Sequence, residues 1–357
     1  MRTEDQGLWL QEQVREALSR AESLYISGSG SKAFLQTAPE APCRRLSVEG
    51  HCGLVEYEPG ELVITVRAGT PLARVEALLA EHGQMLAFEP PAFGPTATIG
   101  GTLACGLSGP RRPYTGSARD FVLGCRMLNG QGQRLSFGGR VIKNVAGFDV
   151  SRLMVGSAGT LGVLLELSLK VLPRPECELT LSFDGTAEEA LLRMSEWGRA
   201  AWPLSALVHD GERILMRLSG SERALQAAHR QLGGEALPMA STFWHDWREQ
   251  RLAWFQDETP LWRLSLAPTC PLPALPGTWR IDWGGSLRWF KTHASPEDIF
   301  LAMARVGGHA RHFRGGSVSP RHPPLPVPLQ ALQQRLRTAF DPYGVFRVNP
   351  ALNQILT

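Results

Sequence analysis

The sequence predicts an α+β protein of two main domains. Three observations carry that reading. Glycine and other small residues cluster between Pro95 and Pro173, with apolar strand-like segments between the clusters. After Pro175 the apolar pattern follows the order strand, helix, strand, strand, helix, which is the ferredoxin-like arrangement. The chain has 357 residues, 43% hydrophobic and 20% charged, enough for about two domains with real cores.

The elements follow in order. Leu8, Leu10, Val14 and Leu18 recur at near-helical spacing, so residues 7–21 read as an amphipathic helix. Leu24–Ser27 is a short strand running into Gly28-Ser29-Gly30-Ser31, and Leu46–Glu49 is a second strand. Leu54–Tyr57 and Leu62–Val66 flank Glu58-Pro59-Gly60-Glu61, a hairpin with the type II signature of Pro followed by Gly. A helix is expected over Pro71–His82, with Thr70 as its N-cap and Gly83 at its end. Phe121–Leu128 and Arg134–Phe137 pair across Asn129-Gly130-Gln131-Gly132, and Gly162–Val171 is a further strand. Beyond Pro175 come a strand over Glu178–Phe183, a helix over Ala187–Ala200, a hairpin of Ser205–His209 and Arg213–Leu218, and a helix over Ser221–Leu232. The stretch 241–290 holds seven tryptophans. Pro320–Pro328 reads as a linker and Leu329–Ala339 as a closing helix.

Composition excludes several functions. A net charge of +3 gives no case for a nucleic-acid partner. No apolar run reaches the roughly 18 residues that span a bilayer, and the acid-bearing N-terminus reads as an amphipathic helix rather than a signal peptide. The expected location is the cytoplasm, with at most a peripheral place at the inner face of a membrane through partners. Cys43, Cys52, Cys105, Cys125, Cys177 and Cys270 show no CxxC spacing, so no metal site is expected. An iron–sulfur relay, if electrons leave this chain, would then sit on another.

Three glycine clusters suggest a large, flat, phosphorylated ligand. Gly28-Ser29-Gly30 after a strand imitates a dinucleotide fingerprint, with Glu49 at the end of the next strand. A nicotinamide Rossmann dehydrogenase is the competing reading. Against it, a crossover helix needs about 10–12 residues, whereas Pro39 and Pro42 leave only Ser31–Ala38, and a hairpin follows Glu49. The loop can still hold pyrophosphate, because successive N–H groups of a Gly/Ser turn form an anion nest. Thr98-Ile99-Gly100-Gly101 and Gly106-Leu107-Ser108-Gly109, joined through Ala104 and Cys105, let main chain come close to a ring. Pro90-Pro91 would fix the entry to that segment. Gly156–Gly162 precedes a strand and lacks the P-loop lysine.

The order of a Gly-rich first loop, VITVRAGTPL, ATIGGTLA, GSARDFVLG, KNVAGFDVSRL and VGSAGTLGV resembles the FAD-binding domain of the vanillyl-alcohol oxidase/p-cresol methylhydroxylase (PCMH) family. Within it, TIGGTLACGLSGPRR and GGRVIKNVAGFD look like an FAD-binding subunit of bacterial glycolate oxidase (glycolate dehydrogenase). The resemblance covers residues 20–175 and, more loosely, LWRLSL, WGGSLRW and the FDPYGVF stretch near the end. It implies a two-lobed PCMH-type FAD domain over 1–175, a cap over 176–330, and a segment 331–357 returning to the FAD domain. It implies a pyrophosphate cradle at Ser27, Gly28, Ser29, Gly30 and Ser31. Further FAD contacts are expected at Pro91, Thr98, Gly100, Gly101, Ala104, Gly106 and Ser108, and at Gly159, Thr160, Gly162 and Val163. Relatives with covalent flavin often carry a histidine in the first loop. Ser31-Lys32 stands there instead, which implies non-covalent FAD.

By the same resemblance the chain serves a complex with a second FAD-binding subunit and an iron–sulfur subunit. That complex would oxidise a small 2-hydroxy acid, glycolate or lactate. Such a reaction needs a cation for the carboxylate and a base for the hydroxyl proton. Arg263 and Arg288 are candidates for the first, with salt bridges or stacking on tryptophan as the other reading of both. His312 is the candidate base, with Arg311 and Arg314 expected to lower its pKa; the other reading is an exposed basic loop that also holds His309. Related dehydrogenases resemble one another in a His-x-Gly-Asp-Gly-Asn-x-His segment, which has no counterpart here. That departure favours a chain that holds FAD beside a catalytic partner over one that turns over substrate itself. Lys143 and Asp149 are read as a structural pair or as charges near the flavin, and Arg119-Asp120 as a structural pair. The seven tryptophans are read either as cap core or as part of an interface.

Overall fold

The computed structural model describes residues 4–35, 43–139 and 149–347. Lys143 lies outside them. The chain forms two compact units, the first from residues 1–108, 116–173 and 324–357, the second from 109–115 and 174–323.

In the first unit, α1 (Gly7–Ser19) buries Leu10, Val14 and Ala17, one face of the apolar repeat. That face packs with β1 (Leu24–Ser27) and β2 (Arg44–Ser47), which pair in parallel. A five-stranded antiparallel sheet runs in the order β3 (Leu54–Glu58), β4 (Val63–Arg67), β8 (Val163–Lys170), β6 (Val122–Leu128), β7 (Arg134–Gly138). A small pair, β5 (Gln84–Met85) and β9 (Leu172–Pro173), lies apart from it. The hairpin of β3 and β4 forms, but its turn is one of 3₁₀ helix over Pro59–Glu61, with Leu62 rather than a glycine in the left-handed region at φ 57°. The expected type II turn is thereby corrected. In α2 (Leu72–Glu81) the cap differs too. Thr70 Oγ1 accepts from Gly53 N at 2.9 Å and donates to Arg67 O at 2.6 Å, so Pro71 takes the N-cap position without a side-chain bond.

The segment TIGGTLAC is a helix, α3 (Ile99–Cys105), capped by Thr98, whose Oγ1 accepts from Gly101 N at 3.2 Å. A short α5 (Val150–Leu153) follows Asp149, which caps it and pairs with Arg152. The final described segment belongs to this unit. After α10 (Val327–Phe340), the Asp341 carboxylate accepts from the backbone N–H groups of Val345 and Phe346. The chain then pairs with β1 through Leu24 N to Val345 O at 2.7 Å and Arg347 N to Leu24 O at 2.8 Å. Val345 and Phe346 complete the core beneath α1.

The second unit begins with α4 (Arg112–Thr115) and continues with β10 (Cys177–Asp184), α6 (Ala187–Trp197), β11 (Leu204–His209), β12 (Arg213–Gly220), α7 (Glu222–Leu232) and β13 (Glu235–Ala236). The strands lie in the order β13, β10, β12, β11, the ferredoxin-like pattern. Thr186 and Ser221 cap the two helices, as their position before each apolar run requires. The tryptophan-rich region adds α8 (Ala240–Arg248), β14 (Leu261–Ser265), β15 (Thr278–Asp282), β16 (Leu287–Lys291), α9 (Pro296–Arg305) and β17 (His309–Arg314). These strands extend the same sheet to eight in the order β15, β16, β14, β17, joined by His209 opposite Ile281. Trp244, Trp247, Trp262, Trp283 and Trp289 are buried, and Trp254 and Trp279 are half-buried. Most of the seven therefore build core, and Trp254 and Trp279 alone among them keep part of their surface exposed. No described helix is long and apolar enough to cross a membrane.

Candidate functional site

A pocket in the first unit gathers all three glycine clusters. The loop Ser27–Ser31 forms one wall, with Thr98, Gly100, Gly101 and Ala104 of the second cluster and Gly159 and Gly162 of the third. Each glycine has a geometric reason. A Cβ on Gly28 would lie 2.4 Å from Thr98 Oγ1, so loop and α3 approach as only glycine allows. Gly30 sits at φ +80°, where a side chain is strained. At Gly100 a Cβ would lie 2.7 Å from Ala68 Cβ and 2.8 Å from Ala68 O, and Gly100 N donates to that same oxygen. Clusters two and three are joined by Gly156 N to Leu103 O at 3.0 Å and Ala158 N to Ala104 O at 2.8 Å.

Five expected contacts stand elsewhere. Gly106 turns the chain out of α3 at φ +64° and packs on Gly156. Ser108 Oγ accepts from Ala118 N at 3.0 Å. Thr160 Oγ1 donates to Ser157 O at 2.7 Å. Val163 is fully buried in the core under α1, on the opposite face of β8 from Leu164, which does line the pocket. Pro91 is buried outside the lining. The sequence reading named Cys105 beside Ala104 but missed Tyr25, Ile26, Lys32, Ala33, Val48, Ala68, Ala158 and Leu164 as lining residues. Several adjoin residues it named, and adjacency to a glycine turn was the available signal. It also missed Arg45. From β2 this residue donates to Ser27 Oγ at 2.6 Å and to Gly28 O at 3.1 Å, fixing the loop with a positive charge beside it.

The residues fit FAD. The lining contains a lysine, Lys32, and no Asp or Glu. Small residues make most of the wall, which suits a flat ring, and the Gly/Ser loop suits a pyrophosphate. The Ser27 hydroxyl, accepting from Arg45, keeps its own hydrogen to donate.

The three catalytic candidates all belong to the second unit. Arg288 is fully buried, and its guanidinium donates to three carbonyls: Gly285 O at 3.2 Å, Pro271 O at 2.8 Å and Cys270 O. It is a strut that ties Cys270 and Pro271 to Gly285, not an open carboxylate clamp. His312 lies on β17, buried, not on an exposed loop, while His309 on the same strand is exposed. Its Nε2 bonds Gly315 O at 2.7 Å and its Nδ1 accepts from Arg321 at 3.1 Å, so both ring nitrogens are engaged in the neutral form. Burial above all pushes its pKa down to about 4, against the upward pull of the bond to Gly315 O; Arg321 and Arg311 add smaller downward effects, while Arg314, expected to lower the pKa, raises it through its backbone. Arg263 differs. It stands over the Trp283 ring at 5.1 Å, close enough for a cation–π contact.

The depressed His312 pKa makes a prediction. Folded His312 holds its proton less well than the unfolded chain does. Its contribution to stability is complete above about pH 6.5 and is lost as pH falls toward 4, up to about 3 kcal/mol. Urea unfolding of wild type and of His312→Gln between pH 7.5 and 4.5 should show a shallower loss in the variant. Parallel curves would refute the assignment.

Comparison with known proteins agrees with this geometry. A family model described as an FAD binding domain matches residues 9–138. Glycolate oxidase subunit GlcE of Escherichia coli (strain K12) is 48% identical over 337 residues, 94% of this chain and 95% of that protein. Glycolate oxidase subunit GlcD of Bacillus subtilis (strain 168) is 32% identical over 155 residues, 43% of this chain and 33% of that one. Among solved structures, an alkyldihydroxyacetonephosphate synthase superposes with a TM-score of 0.65 at 14% identity, covering 94% of this chain and 73% of that one, a likeness of fold.

Proposed function

The chain belongs to the GlcE family of glycolate oxidase subunits, and from that premise we propose that it is the FAD-holding subunit of a glycolate (2-hydroxy acid) dehydrogenase complex, passing electrons from flavin to an iron–sulfur partner subunit. It is an FAD-dependent oxidoreductase of the kind that acts on CH–OH donors, and FAD is its cofactor. The observation that carries the proposal is the acid-free, glycine-walled pocket within a chain alike to GlcE over nearly its whole length.

When bound, FAD supplies a two-electron acceptor. The chain's residues do the holding. The Ser27–Ser31 loop offers N–H groups and hydroxyls to the pyrophosphate, Arg45 braces the loop, and Gly100, Gly101 and Ala104 give the ring a flat wall. The contacts proposed here are Ser27–Ser31, Thr98, Gly100, Gly101, Ala104, Gly159 and Gly162, with Lys32 added. A second FAD-binding subunit would turn over the hydroxy acid, because Arg288 and His312 are engaged in holding the second unit together. The scattered cysteines favour placing the iron–sulfur cluster on a partner. The same reading puts the complex in the cytoplasm, with any membrane contact peripheral and through partners.

The test uses the purified chain. It should be yellow, and acid precipitation should leave the flavin in the supernatant; flavin in the pellet would refute non-covalent binding. In stopped flow, glycolate should leave the isolated chain's flavin oxidised, and bleaching should need the second flavoprotein. Bleaching of the isolated chain would place turnover here instead.

A further inference from the structure

A cluster of arginines lies within the second unit, and none of them is among the residues that line the FAD pocket. Arg263 on β14 and Arg311 on β17 are register partners, so both side chains leave the sheet on one face. Arg112 of α4 and Arg263 both stand over the indole of Trp283, 4.2 and 5.1 Å from its centroid. That indole is held firmly. Its Nε1 donates to Gly109 O at 2.9 Å, and its backbone N donates to Asp282 Oδ1 at 2.7 Å. Trp283 itself adopts φ +52°, a left-handed conformation that bulky residues rarely take and that concentrates at functional positions.

The field at Arg263 is positive on balance. Two arginines, Arg112 and Arg311, act on it against one acid, Asp282. The Asp282 carboxylate is itself occupied, accepting from Trp283 N and, at 2.9 Å, from Trp247 Nε1. Burial first, then Arg112 and Arg311, bring the Arg263 pKa down to about 10. An anion beside Arg263 would oppose both by favouring its charged form.

We propose that Arg112, Arg263 and Arg311, arranged around Trp283, form a binding site for the carboxylate of a small organic acid. The planar guanidinium fork matches a planar carboxylate, and two or more forks hold it in a set orientation. The indole contributes a flat surface that keeps two of the arginines in place. The site does not depend on the nature of the cofactor, and would stand if the FAD assignment failed.

Isothermal titration of the FAD-loaded protein with glycolate tests it, with inorganic phosphate as the second arm. Glycolate should bind saturably and at least tenfold more tightly than phosphate. Arg263→Gln should weaken glycolate binding at least tenfold, and Arg263→Lys, which keeps the charge but not the fork, by less. Arg112→Gln gives the same reading should Arg263→Gln fail to fold; tryptophan fluorescence reports folding of the second unit, and flavin absorbance reports cofactor content. Absence of saturable glycolate binding, equal binding by the Gln variants, or tighter binding of phosphate would each overturn the proposal.

Discussion

Replacing Gly100 by valine is expected to give a colourless, destabilised protein. A Cβ at this position would meet Ala68 Cβ at 2.7 Å and Ala68 O at 2.8 Å, both on a segment fixed by the Gly100 N to Ala68 O bond. The obstacle is mostly backbone, which cannot rotate aside. Overpacking of this kind costs about 1–3 kcal/mol. The loss in the loaded protein should be larger, because ligand binding adds to stability. FAD at 100 times its Kd contributes about 2.7 kcal/mol, and a variant that no longer binds forfeits it. Thermal unfolding with and without added FAD separates the two parts. The wild type should shift upward with FAD, and Gly100→Val should not. Gly30→Ala isolates the pocket from the core clash, since its methyl meets no protein atom within 4 Å. It should lower FAD affinity with a smaller loss of apoprotein stability. A Gly100→Val protein that stays yellow and keeps its FAD-dependent shift would refute the account of this wall.

The glycine clusters were legible because their cause is local: a small residue records a close approach whatever comes close. What they approach was less legible. TIGGTLAC reads as a loop by propensity, since tandem glycines cost a helix about 1 kcal/mol each, yet the Thr98 cap and the bond to Ala68 make it α3. Val163 and Leu164 show a second limit, because the period-two alternation of β8 sends neighbours to opposite faces and only the sheet's surroundings say which face meets the pocket. In the second unit, α9 carried a complete start signal of Ser295, Pro296, Glu297 and Asp298, overshadowed by the tryptophans before it. The segment 109–115 is harder still. It joins the second unit through Arg111, which pairs with Glu178 and donates to Ser219 at 3.2 Å, and through Gly109 O, which accepts from Trp283. Partners so far apart in sequence leave no local trace.

Arg288 illustrates why residue type alone misassigns a role. An arginine among tryptophans in a cap invites a substrate carboxylate, yet this one is expected to behave as a structural residue. Arg288→Met removes the donors to Gly285, Pro271 and Cys270 while filling much of the same volume. A hydrogen bond from a charged group contributes about 1.5–3 kcal/mol, and a buried carbonyl left without a donor carries its own penalty. Because the substitution also removes an unfavourable buried charge, as the lowered pKa of Arg288 indicates, these contributions do not simply add. A net loss of about 1–3 kcal/mol is expected, set by the buried carbonyls left without a donor. All three acceptors belong to the second unit, so the loss should fall on that unit's unfolding transition. Urea unfolding followed by tryptophan fluorescence should report it, while flavin absorbance, which follows the first unit, should change at its original midpoint. A carboxylate clamp would do the reverse, leaving both transitions in place and weakening glycolate binding alone. That outcome would return Arg288 to the substrate and require another explanation for its three carbonyl bonds.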